Sequence, residues 1–232
     1  MNTGSVPRRI VVGITGATGI MLGARALSML RDLQVETHLV VSRAGEMTRA
    51  YETDLSREQL HDLADHVHSI NDVGAAIASG SFRTLGMLIA PCTVSTLGEV
   101  ANGISSSLLT RAADVVLKEQ RKLVMLVRET PLHATHLRNM LNLAQMGAII
   151  SPPVITLYNR PETISEMIDH TVARALEHFG LDVPGIRRWG EGGTDPENAA
   201  SSTGRTPQHE GRGIAAETVH VGPGSARPRR TN

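Results

Sequence analysis

Aromatic residues are nearly missing from this chain of 232 residues: Tyr51, Phe82, Tyr158, Phe179 and Trp189 are all there are. A core must therefore be assembled from Ala, Val, Ile, Leu and Met. Cysteine is rarer still. A single Cys92 excludes an internal disulfide framework and a multi-thiolate metal centre. Net charge is absent too, with 23 Lys plus Arg against 23 Asp plus Glu. That balance gives no electrostatic case for nucleic acid or an anionic membrane as partner, and it does little to oppose self-association. No apolar run approaches the roughly 18 residues of a membrane span, and the amino terminus lacks the apolar core of a signal peptide. A cytoplasmic protein is expected.

What is present alternates. Residues 9–14 form a short β-branched run ending in Thr15-Gly16-Ala17-Thr18-Gly19. Residues 20–31 follow at helical spacing. Further buried strands are expected at 35–41, 85–90, 123–127 and 148–150. Helices are expected at 44–52, 95–102, 108–119, 135–145 and 163–179, whereas 57–68 is polar and has no clear period. Continuous apolar strands separated by helices imply a parallel sheet covered on both faces. The expected fold is three-layer α/β, Rossmann-like or flavodoxin-like, with a mostly parallel sheet of about five strands in one domain over 1–191. Residues 192–232 contain no Leu, Met or aromatic side chain. They bury too little to offset the entropy of ordering, so a disordered tail is expected there.

Ligand sites of open α/β sheets lie at strand carboxyl ends, and three such ends carry polar chemistry. The turn of residues 13–19 brings small residues and hydroxyls to a helix start, where backbone N–H groups and the helix dipole favour a phosphate; a tight turn without ligand is the alternative. The turn Thr93-Val94-Ser95-Thr96 offers hydroxyls for a phosphate or a flavin edge, or simply caps for the next helix. Arg128 and Glu129 follow an apolar strand. The Arg can clamp a phosphate through paired donors and the Glu can move a proton; the alternative is a local ion pair. Cys92 reads as a small core residue rather than a nucleophile. Taken singly, Lys118 reads as a solvated charge at a helix end, Tyr158 as a loop contact or packing anchor, and Arg174 as a snorkelling surface Arg. His61, His66 and His68, and His133 with His136, lack the HExxH or CxxC spacing of a zinc site, so they read as scattered surface residues and no metal is expected.

Together these motifs are similar to one family. Over residues 9–191 the chain resembles the UbiX-like flavin prenyltransferases, in the blocks ITGATG, IAPCTVSTL, LLTRAADVVLKE, LVMLVRETPLH, MGAIISPP, LYNRP and RRWGE. The resemblance implies an FMN-binding flavoprotein domain that assembles as a dodecamer. It implies a reaction in which the dimethylallyl group of a dimethylallyl phosphate is joined to N5 and C6 of reduced FMN, without metal. The prenylated flavin would pass to a separate UbiD-like decarboxylase. By motif match, Gly16, Ala17, Thr18, Ser42, Thr93, Val94, Ser95, Thr96 and Arg128 hold FMN. Tyr158, Arg174, Lys118 and Arg111 hold the donor phosphate. Glu129, Lys118 and Glu52 are catalytic, with Glu52 arriving across a subunit contact. Thr18 and Thr93 stand where Ser is usual, Ser107 where Asn is common, and Leu157 where Phe is usual. Two rival readings are an FMN-dependent decarboxylase of the phosphopantothenoylcysteine-decarboxylase type and a non-catalytic flavin carrier. The first would want an early catalytic His, and here the first is His38, inside a strand. The second would need no second phosphate site.

Overall fold

The strands that the sequence marks as wholly apolar form the centre of one sheet. In the computed structural model, which describes residues 8–186 and residue 188, the elements run β1 (Arg9–Ile14), α1 (Ile20–Asp32), β2 (Glu36–Val41), α2 (Arg43–Glu52), α3 (Arg57–His61), β3 (His66–His68), β4 (Gly86–Cys92), α4 (Val94–Ala101), α5 (Leu108–Lys118), β5 (Lys122–Val127), α6 (Ala134–Gln145), β6 (Ile149–Ile150) and α7 (Ile164–Glu177). The tail expected at 192–232, and the block around Trp189, lie outside the described residues.

Strand order is β3-β2-β1-β4-β5-β6, and every pairing is parallel. This is the winding order of Rossmann-type sheets, whose switch point falls between the first and fourth strands. Among the described residues the sheet has six strands where about five were expected, because His66–His68, in the stretch without a clear period, pairs with β2. It is parallel throughout the described residues, in line with the expected mostly parallel sheet.

Period-two alternation divides each central strand between two cores. Ile10, Val12 and Ile14 of β1, Leu88 and Ala90 of β4, and Val124 and Leu126 of β5 face one cluster, which α1 and α7 cover. Val11, Met87, Ile89, Leu123, Met125 and Val127 face the other, with side chains from α4 and α5 and Leu143 of α6. All seven residues of β4 are buried, which is why a continuous apolar run reads as a central strand. No helix of the described residues is long and apolar enough to cross a membrane.

α1 lies unusually close to the sheet. A Cβ on Gly23 would fall 2.5 Å from the Ala90 carbonyl oxygen and 2.7 Å from Ile14 Cδ1, so only glycine permits this approach. Gly23→Ala must push α1 off β1 and β4. An overpacking cost of about 1–3 kcal/mol is expected, read as a lower urea midpoint at an unchanged m-value.

Candidate functional site

Parallel strands in register bring their carboxyl ends to one edge. Ile14 pairs with Val41, and Cys92 with Val127. Across the switch point between β1 and β4, Thr15 makes the join. Its hydroxyl donates to the Pro91 carbonyl at 2.8 Å and accepts from the Thr93 N–H at 2.9 Å. Its own N–H also reaches Pro91 O, at 3.2 Å. The side chain is buried, so these bonds are shielded from competing water.

The loop after β1 ends at Gly19, whose φ of 103° sets the entry to α1 with no side-chain cap of its own. Glu52, at the end of α2, supplies the missing acceptor. Its carboxylate accepts from Gly19 N at 2.8 Å and Ile20 N at 3.1 Å, and from the Thr18 hydroxyl. A carboxylate at a helix start is favoured by the unpaired N–H groups and the dipole. Glu52 therefore reaches this loop within its own chain, where the resemblance implied an arrival across a subunit contact. Just before it, the backbone N–H groups of Gly16, Ala17 and Thr18 have no acceptor among the described residues. Three successive free donors at a helix N-terminus are suited to a phosphate.

Around this loop stand the other carboxyl-edge groups. Ser42 caps α2 by accepting from Gly45 N at 2.9 Å. Thr93 caps α4 by accepting from Thr96 N at 3.1 Å, and donates to the Thr96 hydroxyl at 3.0 Å. Capping and ligand binding, alternatives in the sequence, need not compete. The caps fix the turns, and the Val94 and Ser95 N–H groups remain at the start of α4. Arg128 is tied by its N–H to Cys92 O at 3.0 Å, while its exposed guanidinium has no acceptor among the described residues. Glu129 is exposed beside it and accepts from Thr130 N at 2.9 Å. Cys92 is fully buried, and burial pushes its thiol far above the usual range, which excludes a thiolate nucleophile.

The structure places Lys118 away from this edge. Lys118 is the last residue of α5, and β5 begins at Lys122, which pairs with the first residue of β4. Lys118 thus lies at the amino edge, a strand length of about 20 Å from Arg128. There it pairs with Glu119 at 2.5 Å. Arg111 is held by Asp114 at 2.7 Å and by Ala78 O at 3.3 Å. Tyr158, in the loop before α7, packs edge-on against His170 of that helix, its hydroxyl 3.2 Å from His170 Nε2. Arg174 follows His170 by one helical turn and pairs with Glu177. One chain therefore joins Tyr158 to the helix of Arg174. Lys118 stays with the opposite helical layer, so the expected donor-phosphate set does not meet within one chain. Sequence reasoning missed His170, a buried partner for the Tyr158 hydroxyl. Its signal was a His on the apolar face of a confident helix.

The geometry meets a consistent set of relatives. A family model described as Flavoprotein matches residues 2–176. Flavin prenyltransferase UbiX of Neisseria meningitidis serogroup B is 52% identical over 182 residues, covering 78% of this chain and 96% of that protein. The crystal structure of AnUbiX (PadA1) in complex with FMN and dimethylallyl pyrophosphate superposes with a TM-score of 0.78 at 50% identity, covering 78% of this chain and 97% of that one. A dodecameric FMN-dependent UbiX-like decarboxylase from Escherichia coli O157:H7 gives a TM-score of 0.77 at 48% identity, over 78% of this chain and 98% of that one.

Thr15→Val keeps the shape but leaves the Thr93 N–H without its acceptor. A loss of about 1–3 kcal/mol in unfolding free energy is expected, with Thr15→Ser recovering part of it. Equal stability of the Val and Thr forms in urea would show that the hydroxyl does not hold the switch point.

Proposed function

We propose a reaction from one premise: the chain belongs to the UbiX-like flavin prenyltransferases of the flavoprotein family. The protein joins the dimethylallyl group of a dimethylallyl phosphate to N5 and C6 of reduced FMN. The observation that carries this reading is the row of free N–H donors at Gly16, Ala17 and Thr18, set at the switch point beside the Thr93 turn and Arg128. Ligands of open α/β sheets bind in this crevice. Bound reduced flavin supplies the nucleophilic atoms, and the allylic phosphate supplies the electrophilic carbon and the leaving group.

The chain does the rest. The loop of Gly16, Ala17 and Thr18, Ser42, and the turn of Thr93, Val94, Ser95 and Thr96 hold and orient FMN. Arg128 presents paired donors to phosphate oxygens and meets charge as it develops there. Glu129 gives and takes the proton that closure of the second bond at C6 requires. Glu52, fixed on the α1 N-terminus by three donors, orients the Thr18 hydroxyl at the same edge. Lys118, Arg111, Tyr158 and Arg174 receive the donor phosphate. Because Lys118 and Arg174 lie on opposite layers of one chain, this second phosphate site is assembled between copies in a homo-oligomer, a dodecamer like the UbiX-like relative. Exposed Leu137, Leu141, Val154, Ile155 and Leu157 supply apolar surface for such contacts. The product passes to a UbiD-like decarboxylase, and the setting is the cytoplasm. The decarboxylase alternative needs an early catalytic His, but His38 lies within β2, bonded to Glu36 and His68.

Anaerobic incubation with reduced FMN and dimethylallyl phosphate should raise the flavin mass by one five-carbon unit. Bound FMN of unchanged mass would favour the carrier instead. Glu129→Gln should retain FMN binding and lose turnover by about 100-fold or more, the usual contribution of general acid–base catalysis. Lys118→Ala and Arg174→Ala should each be inactive alone. Dissociated and reassembled together, they should regain part of the activity, since mixed contacts recreate intact sites. No recovery in a verified mixed oligomer would mean that both residues serve one site from the same copy.

A further inference from the structure

The edge strand β3 and its neighbour β2 place four side chains on one face. β2 and β3 are parallel, with His38 opposite His66 and Val40 opposite His68. Period two puts Glu36 and His38 of one strand, and His66 and His68 of the other, on the same side of the pair. The result is compact. His38 Nε2 lies 3.0 Å from Glu36 Oε1, and His66 Nε2 lies 3.5 Å from the same oxygen. The His38 and His66 rings stack at 4.6 Å between centroids, and one ligand atom from each of Glu36, His38 and His66 falls within 4.8 Å of the others. The expectation that these histidines are scattered is corrected by this strand pairing.

We propose that Glu36, His38 and His66 form a binding site for a divalent transition-metal cation, best matched by zinc, at the β2–β3 edge of the sheet. Bonds of about 2.0–2.1 Å in a tetrahedral site hold ligand atoms about 3.3–3.4 Å apart, and the two distances to Glu36 Oε1 straddle that value. Two imidazoles and a carboxylate suit zinc and leave a fourth position for water.

The surrounding bonds prepare these ligands. Arg9 Nε holds the other carboxylate oxygen, Glu36 Oε2, at 2.8 Å, so that Oε1 is the one turned toward His38 and His66. Arg9 in turn lies over the Phe82 ring, 4.9 Å from its centroid. His38 Nδ1 is 3.0 Å from His68 Nε2. A proton on Nδ1 there leaves the Nε2 lone pair facing Glu36, as outer partners of metal-binding histidines do. Without metal, the other tautomer serves: Nε2–H donates to Glu36 Oε1 and Nδ1 accepts from His68, and a metal selects the form with the proton on Nδ1. Access is open. His66 is 54% exposed, and Glu36 and His66 line a surface depression of about 350 Å³ with Arg31, Gln34 and Asp65. The proposal does not rest on the flavin reaction.

The test uses the full chain, stripped with chelator and titrated with zinc chloride by calorimetry. One zinc per chain is expected. His66→Ala, at an exposed position, and Glu36→Gln should each weaken binding by at least about tenfold, the scale on which even outer partners act. His136→Ala should leave it unchanged. His136 stacks on His133 at 3.5 Å and is the main competing imidazole pair. Thermal melts with and without zinc, and the visible absorption of a cobalt-loaded sample, report the same site. Absence of zinc binding, undiminished affinity in His66→Ala, or loss of binding in His136→Ala would each overturn the proposal.

Discussion

One buried hydroxyl organises the working edge of this protein. Thr15 bridges the Pro91 carbonyl and the Thr93 N–H across the point where the sheet reverses its winding. Everything at that edge is referred to this join. The loop leaving β1 carries the free N–H donors, and the turn leaving β4 carries the Thr93 cap. Arg128 hangs from Cys92, one residue further along β4. Two adjacent strand ends in an open sheet would otherwise separate, because each feeds a helix on a different face. The hydroxyl holds them at hydrogen-bond distance and so fixes the width of the crevice.

The charges divide in a way that the topology requires. A helix that precedes a parallel strand must finish where that strand starts. α5 therefore delivers Lys118 to the amino edge, whatever chemistry the residue serves. Arg174 is carried on α7, in the layer on the other side of the sheet. The free N–H donors and Arg128 therefore lie at the carboxyl edge, while Lys118 and Arg174 are held on opposite faces of the sheet.

The fold was legible because its signals are local. Apolar runs such as Leu123–Val127 and the loop Thr15–Gly19 announce central strands and a strand-to-helix turn from a few residues each. Arg128 and Glu129 were legible for the same reason: they follow a strand directly. β3 was not, because His-Val-His is three residues long, two of them polar, and pairs only with a neighbour 28 positions away. Missing that strand hid the match between Glu36-x-His38 and His66-x-His68. Thr15 was visible as part of a loop, but its partners lie 76 and 78 residues on, and no spacing rule reaches that far. Glu52 at the α1 N-terminus is equally non-local. The position of Lys118 was available from topology alone, since a helix that precedes a parallel strand ends where that strand starts.

The fully buried Cys92 has a further meaning for a protein that handles reduced flavin. Reduced flavins yield peroxide when they meet oxygen, so the crevice sits beside a source of oxidant. Oxidation of a thiol proceeds through an accessible thiolate, and this chain offers neither access nor ionisation at its one sulfhydryl. Its sulfur chemistry is silent next to its own substrate. The strand end therefore presents no accessible thiol to that oxidant.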